Sequence, residues 1–356
     1  MRSLDWVADS SALIWERMGA SFPASQGFSL FGTGGVSVHD VVQGSVGNCW
    51  FIAAAASVAE HAGRIEDMWL TQSYNDEGIY ALNMYMLGVP TTIVIDDWIP
   101  HYGSTYNSIF AKVNHSGDKA TWMLLLEKAF AKAMGNYAQL IAGWTHRGVD
   151  VLTGFPSDAQ THSNLTETQL WDYVDEGDAN GDIMTASSHY GSGGDATANG
   201  DGIAYSHAYS VIGTTTVTDN AGTTTQLVKV RNPWGSENYS GDWSDGDTRW
   251  NNVSQSEKDR IGYTNSLSDG YFFMSVPSFS TNFRSTTINR DLTGWHHNHF
   301  LRLDDTYTSA TSPGTAYYCG ASCAAHRFTF TTSVTQDVYI SAYLHDERSY
   351  PTDCNF

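Results

Sequence analysis

Apolar positions run almost unbroken from Asn48 to about Ala62 (NCWFIAAAASVAEHA), with four successive alanines and neither Pro nor Gly before the end of the run. Alanine is the best helix former, and a helix that is apolar on every side is a buried one, so the pattern predicts a core helix. The stretch before it, FGTGGVSVHDVVQGSVG, is rich in glycine and predicts a turning loop. IYALNMYML (79–87) and TTIVIDDWI (91–99) carry the β-branched and aromatic residues of a strand pair, joined at Gly88-Val89-Pro90. A second helix is predicted over 120–137, followed by a loop from Gly143 to Gly154. ETQLWDYVDEG (167–177) predicts a short amphipathic helix, and 177–202 a polar loop. Short strands follow at 207–213, 225–232 and 270–276, and beyond Ser285 the segments FTFTTSV and QDVYISAYL alternate as half-buried strands do. The first half is thus helix-rich and the second strand-rich, with a junction near Gly154 and no internal repeat.

Composition narrows what such a chain does. At 356 residues there is room for two or three domains. Eighteen Lys+Arg against 38 Asp+Glu give a net charge of −20, which argues against a nucleic-acid partner, because phosphate binding needs clustered cations. With 16% charged and 13% aromatic residues, the composition is that of a folded chain. No apolar run approaches the length of a membrane span and no leader pattern is visible. Cys49, Cys319, Cys323 and Cys354 are too sparse for a disulfide framework, so a reducing, cytoplasmic setting is expected.

The chemistry concentrates in three segments. In Gln43-Gly-Ser-Val-Gly-Asn-Cys49-Trp50, a glycine-rich loop delivers a cysteine to the first turn of the predicted helix, where the dipole and free N–H groups favour thiolate. Gln43 could offer a side-chain N–H to a developing oxyanion beside the Cys49 amide. A lone cysteine is more often a buried core residue, but a thiol nucleophile also needs a base and a group to orient that base. SHAYSV sets His207 at the head of an apolar strand, and KVRNPWG ends another strand with Asn232 before Pro233 and Trp234. The order Cys, His, Asn is the one expected when nucleophile and base sit on different lobes.

Together QGSVGNCWF, SHAYSV and VRNPWG resemble the motifs of the calpain-type cysteine proteases, a papain-like clan. Lesser matches are IDDWIP, LLEKAFAKAMGNY, LTGFP, SGDWSD and DGYFFMS, so that the likeness spans about residues 13 to 280. One departure is Asn48, where the family usually has Asp. The resemblance implies an α+β fold: a two-lobed papain-like core with a helical lobe (1–154, bearing Cys49) and a β-rich lobe (155–284, bearing His207 and Asn232). A partial C2-like β-sandwich (285–356) would follow, offering a contact for a partner or a membrane surface. It further implies an intracellular endopeptidase making limited cuts in protein substrates. Cys49 would attack, His207 act as base and acid, Asn232 orient the imidazole, and Gln43 complete the oxyanion hole. Gly47, Trp50 and Trp234 would line the cleft, Trp234 shielding the His–Asn pair.

The resemblance also implies calcium as cofactor, up to two ions. The first site would use the Thr33 and Gly35 carbonyls and the Asp40 side chain, with Ala120 where the family has Glu and Asp118 nearby as a substitute. The second would use Asn238, Asp245, the Leu267 carbonyl and Asp269, with Asn238 and Tyr271 replacing two family glutamates. Calcium affinity follows the count of charged oxygen ligands, so both departures weaken it. Two other patterns are read against metal sites, the first as a solvated acidic loop and the second as a strand or surface run. The Glu176–Gly181 run lacks an EF-hand's twelfth-position Glu, and the His296, His297 and His299 run lacks helical spacing. Two alternatives stay open from the residues: a transglutaminase-type acyl transferase and a catalytically silent scaffold.

Overall fold

In the computed structural model, residues 13–102, 107–113, 118–294 and 339 are described. They belong to one compact unit reaching to Thr293; a second, Gly294–Ala342, falls almost wholly outside the described residues, as do the expected β-sandwich, the histidine run and Cys319, Cys323 and Cys354.

The first part of the chain runs β1 (Leu13–Arg17), α1 (Met18–Ser21), α2 (Cys49–Ala59), β2 (Ile79–Met86), β3 (Val89–Asp96), β4 (Trp98–Tyr102), β5 (Asn107–Ser108), α3 (Trp122–Ala133) and α4 (Thr145–Thr153). Every residue of α2 is buried, as an all-apolar helix requires. The β2–β3 hairpin turns through Leu87 and Gly88, at φ 52° and 74°. Positive φ at both residues matches the twist of the flanking strands, so the turn closes two residues earlier than expected and Val89 and Pro90 enter β3. The segment 143–154, expected as loop, forms α4 instead. Gly148 permits it: a Cβ there would lie 2.7 Å from the Ala54 Cβ, so the glycine serves close helix–helix approach.

The chain continues with β6 (Ser157–Thr161), α5 (Glu167–Ala179), β7 (Ile183–Ser188), β8 (Ala208–Thr218), β9 (Thr224–Arg231), α6 (Gln255–Ile261), β10 (Tyr271–Ser275), α7 (Val276–Asn282) and β11 (Phe283–Asn289). These strands make one antiparallel sheet in the order β10-β9-β8-β7-β11-β6. β7 lies inside the stretch expected as polar loop; buried on both faces, it shows none of the alternation that marks a half-exposed strand. β11 runs through the junction placed at Ser285 and pairs with both β6 and β7. The Glu176–Gly181 run closes α5, and Asp178 accepts from the Thr214 N–H and hydroxyl.

Among the described residues, three apolar clusters hold the fold. One surrounds α2, α3 and the hairpin; a second joins the sheet to α5 and α7; a third gathers Val217, Leu227, Trp243, Trp250, Val253 and Phe273. α2 is stitched to the sheet by hydroxyls that would otherwise be buried without partners: Ser210 donates to the Ala53 carbonyl (2.8 Å) and Ser57 to the Met184 carbonyl (2.8 Å). Because Ala53 is four residues past Cys49 and Ser210 three past His207, these bonds bring the start of α2 to the head of β8.

Candidate active site

The loop from Gln43 to Asn48 is held on three sides. Ser45 donates to the Ile109 carbonyl (2.7 Å), Lys112 to the Val42 carbonyl (2.8 Å), and Ala142 to the Gly47 carbonyl (2.8 Å). Gly44 admits no side chain, since a Cβ would fall 1.9 Å from the Phe110 carbonyl oxygen. The Asn48 carbonyl accepts the first helical bonds, from Phe51 (2.9 Å) and Ile52 (3.1 Å), so Cys49 opens α2. Fully buried Glu127 of α3 anchors the loop from below: it accepts from Asn48 Nδ2 at 2.6 Å on one oxygen and from the Ala111 N–H at 2.7 Å on the other. Burial pushes its carboxyl up to about 7.

His207 and Asn232 meet because β8 and β9 are antiparallel neighbours, with Ser210 opposite Arg231, so the head of one lies beside the end of the other. His207 Nε2 is 3.0 Å from Asn232 Oδ1, which also accepts from the Trp234 N–H at 3.1 Å. The Trp234 ring lies over the imidazole with centroids 4.4 Å apart, and Tyr209 meets it edge-on at 5.0 Å. A carbonyl-type oxygen on Nε2 calls for the proton there, which leaves Nδ1 as the basic nitrogen. Nδ1 is buried and has no hydrogen-bond partner among the described residues. The backbone N–H of Ala208, next to His207, acts on the Cys49 thiol in the direction that favours thiolate. Gln43 donates its backbone N–H to the Pro233 carbonyl (2.8 Å) and one side-chain N–H to the Val46 carbonyl (2.7 Å), leaving the other amide hydrogen free.

All four groups are sequestered: exposure is 9% for Cys49, 5% for Gln43, 3% for Asn232 and 2% for His207. Burial raises the thiol to about 11, outweighing the Ala208 and Trp50 N–H groups that favour thiolate. Burial likewise lowers the imidazole to about 4 against the opposing bond to Asn232. The helix N-terminus alone led us to expect a thiolate; desolvation reverses that in this closed arrangement, and the resting pair is neutral thiol and neutral imidazole.

A protein-family model described as "Calpain family cysteine protease" matches residues 5–290. The chain belongs to the calpain family of cysteine proteases. It is similar to the calpain-type cysteine protease ADL1 of Oryza sativa subsp. japonica, 33% identical over 265 residues, 72% of this chain and 12% of that protein. Calpain-5 of Mus musculus is 31% identical over 268 residues, 68% of this chain and 41% of its own length. Calpain-14 of Homo sapiens is 33% identical over 257 residues, 68% and 34% respectively. The chain therefore spans well under half the length of these calpain relatives.

The remaining expected positions of the calpain core divide. Trp234 is half-buried against His207 and lines a cleft, and Gly47 is exposed beside Ile141. Trp50 is buried in the core, its ring against Phe130 and its indole N–H on the Leu140 carbonyl at 2.8 Å. At the first calcium position Asp40 is committed to the protein itself: one oxygen accepts from Trp122 Nε1 and from the Ser37 N–H, both at 2.9 Å. Asp118 does come to Thr33, but to its N–H (2.6 Å) and hydroxyl, and to the Gly34 N–H (3.1 Å). At the second position Asn238 is exposed and faces the cleft with Trp234, while its neighbour Glu237 is 4% exposed. Neither Glu237 carboxyl oxygen has a hydrogen-bond partner among the described residues. Burial, with Asp245 and Asp269 nearby, pushes that carboxyl up to about 9, and burial lifts Asp245 to about 6. The Leu267 carbonyl accepts from the Glu237 N–H at 3.2 Å. Glu237, one residue before Asn238, is a buried acid that the sequence reading did not single out; burial alternates with exposure along 237–240. Among the described residues no three acidic, His or Cys side chains already converge as a metal cage.

Proposed function

We propose that this calpain-family chain is a cytosolic cysteine endopeptidase making limited cuts in protein substrates through Cys49, His207 and Asn232. The observation that carries the proposal is the imidazole itself: Nε2 tied to Asn232 Oδ1 at 3.0 Å, with Nδ1 buried and unpartnered at the head of β8, which the Ser210–Ala53 bond holds to the helix that Cys49 opens. A substrate carbonyl above Cys49 receives the sulfur as Nδ1 takes the thiol proton, forming the C–S bond and placing negative charge on the carbonyl oxygen. The free Gln43 N–H and the Cys49 amide are the donors available to that oxyanion. Collapse breaks the C–N bond, and the imidazolium returns its proton to the departing amine. Water, deprotonated by the same nitrogen, then adds to the thioester carbonyl; the C–S bond breaks, the acid leaves, and the imidazolium returns its proton to the Cys49 sulfur. Asn232 holds the tautomer throughout, and Trp234 covers the His–Asn bond and keeps water from competing for it. A sparse cysteine content fits the cytosolic setting.

Calcium is proposed at the second position only. Glu237 supplies two oxygens without partners, and the Leu267 carbonyl, Asp245 and Asp269 are the groups that would join it, Asp245 already accepting from the Ser266 N–H and Asp269 from the Thr264 hydroxyl and the Tyr271 N–H. An ion there would discharge a buried acid and tie the loops around Glu237 and Asp269 to the segment following Asn232. At the first position, the bonds made by Asp40 and Asp118 leave a weaker donor set, and no ion is proposed.

The test is kinetic. Casein or quenched-fluorescent peptide hydrolysis is compared for the wild type and for Cys49→Ala, Asn232→Ala and Gln43→Ala. Cys49→Ala should abolish turnover, and Gln43→Ala should lower kcat by about 100-fold or more, as loss of an oxyanion donor does. Amine incorporation in place of hydrolysis would assign the transferase alternative, and no turnover in any condition the scaffold one.

A further inference from the structure

Next to the catalytic histidine the chain carries a cleft of about 430 Å³ that the reaction chemistry does not use. Its walls include Asp195, Ala196, Ala198, Ala204, Trp234 and Asn238. We propose that this cleft receives a lysine or arginine side chain of the substrate, on the leaving-group side of the cut bond, with Asp195 as its counter-charge. The proposal rests on the protease reading above and adds the substrate class.

Position comes first. The Trp234 ring packs against the imidazole, centroids 4.4 Å apart and planes tilted by 37°, and lines the cleft. The imidazole hands its proton to the departing amine, so the residue bearing that amine must lie along the His207–Trp234 side. The acyl portion stays on the Cys49 sulfur. A cleft walled by Trp234 is therefore met by the leaving segment.

Chemistry comes second. Three alanines leave width and offer no hydrogen bonds, while the indole face suits both the methylenes of a long side chain and its cationic head. Asp195 is half-buried and forms no ion pair with any described Lys, Arg or His. Its charge is felt at Cys49, His207 and Tyr209, which places it within electrostatic reach of the reacting groups. An acidic side chain in the same cleft would meet that charge unscreened by any partner. The net charge of −20 favours cationic segments at longer range as well.

Rigidity comes third. The loop bearing Asp195 is braced by its own hydrogen bonds: Thr197 Oγ1 donates to the Ser192 carbonyl at 2.9 Å, and the Tyr205 N–H to the Thr197 carbonyl at 2.9 Å. Asn199 Oδ1 accepts from the Asp201 and Ile203 N–H groups at 3.1 and 2.9 Å. At Gly202, φ is 86° and a Cβ would lie 1.8 Å from the Asn238 carbonyl oxygen, so this wall is built around a glycine. A carboxylate on a braced loop loses little freedom on binding a cation.

The experiment uses quenched peptides identical except for Lys, Ala or Glu at the residue following the cut bond. The wild type should favour Lys over Glu in kcat/KM by on the order of tenfold, from attraction in one case and repulsion in the other. Asp195→Asn should bring the Lys/Glu ratio to near unity, and Asp195→Lys should invert it. The same peptides are titrated against Cys49→Ala by calorimetry, where Lys should again bind more tightly than Glu. Turnover of all three peptides with a ratio near one, or a ratio unchanged by Asp195→Asn, would overturn the proposal. Peptide binding that keeps the Lys preference without any turnover in the wild type would support the cleft assignment and count against the protease reading alone.

Discussion

Replacing Glu127 by Gln isolates the contribution of a single buried carboxyl to the loop that carries Cys49. Glu127 is fully buried, accepts from Asn48 and Ala111, and stands near Tyr137, whose hydroxyl feels its charge. Burial raises its carboxyl to about 7 from an ordinary 4.5, and the two donors only partly offset this. A folded-state value above the unfolded one means that the folded state holds the proton more tightly. The stabilisation is complete below the unfolded value and is lost as pH rises through the folded one. A shift of this size corresponds to roughly 3 kcal/mol, of which about 2.5 kcal/mol disappears between about pH 5 and pH 8. Gln cannot titrate, and its amide turns one donor against either the Asn48 amide or the Ala111 N–H, which costs about 1–3 kcal/mol at a buried position. The assay is urea unfolding of both proteins at matched pH values. The wild-type advantage over Glu127→Gln should shrink steadily as pH rises from 5 to 8. Two unfolding profiles that stay parallel across that range would refute the assignment of a raised, fully buried carboxyl beneath the Cys49 loop.

Other consequences follow from the same packing. Gly148→Ala should destabilise the fold by about 1–3 kcal/mol, read as a fall in the urea midpoint, because its methyl group meets Ala54 at 2.7 Å. Glu237→Gln should raise thermal stability in EDTA by relieving a buried, unpartnered carboxyl, and should remove any gain that added calcium gives the wild type; a calcium-induced rise in Tm that survives the substitution would contradict the second-site proposal. Alkylation of Cys49 by a small reagent should be slow at neutral pH and should accelerate toward pH 11, since burial holds the thiol protonated; a rate that has already levelled off at pH 7 would show that the thiolate is formed in the resting enzyme.

The elements that hold the site were legible because their composition is extreme or regular. The all-apolar run after Cys49, the helix around Glu127, the strand pair at 79–96 and the strands bearing the His207 and Asn232 motifs each announce themselves by burial pattern. The elements that escaped did so for identifiable reasons. α4 carries a glycine chosen for contact with Ala54, which reads in one dimension as a loop residue. β7 is buried on both faces by small and polar residues such as Thr185 and Ser188, so it shows neither alternation nor an aliphatic run. In the candidate site, the motifs named Cys49, His207, Asn232 and Gln43, and the geometry gathers their segments. The state of the thiol was not legible, because the helix terminus is a local feature whereas desolvation depends on everything packed around it. Buried Glu237 was not legible either: it stands one residue before exposed Asn238, and which of two successive side chains faces inward is set by the packing around them.

The central claim is that Cys49 is the nucleophile of a peptide-cleaving enzyme. It is tested most directly by intact-mass spectrometry during turnover of a slowly hydrolysed peptide ester. The account predicts an acyl adduct that maps to Cys49, forms and decays with product release, and is absent from Cys49→Ala. Hydrolysis persisting in Cys49→Ala, or an acyl group mapped to any other residue, would contradict it.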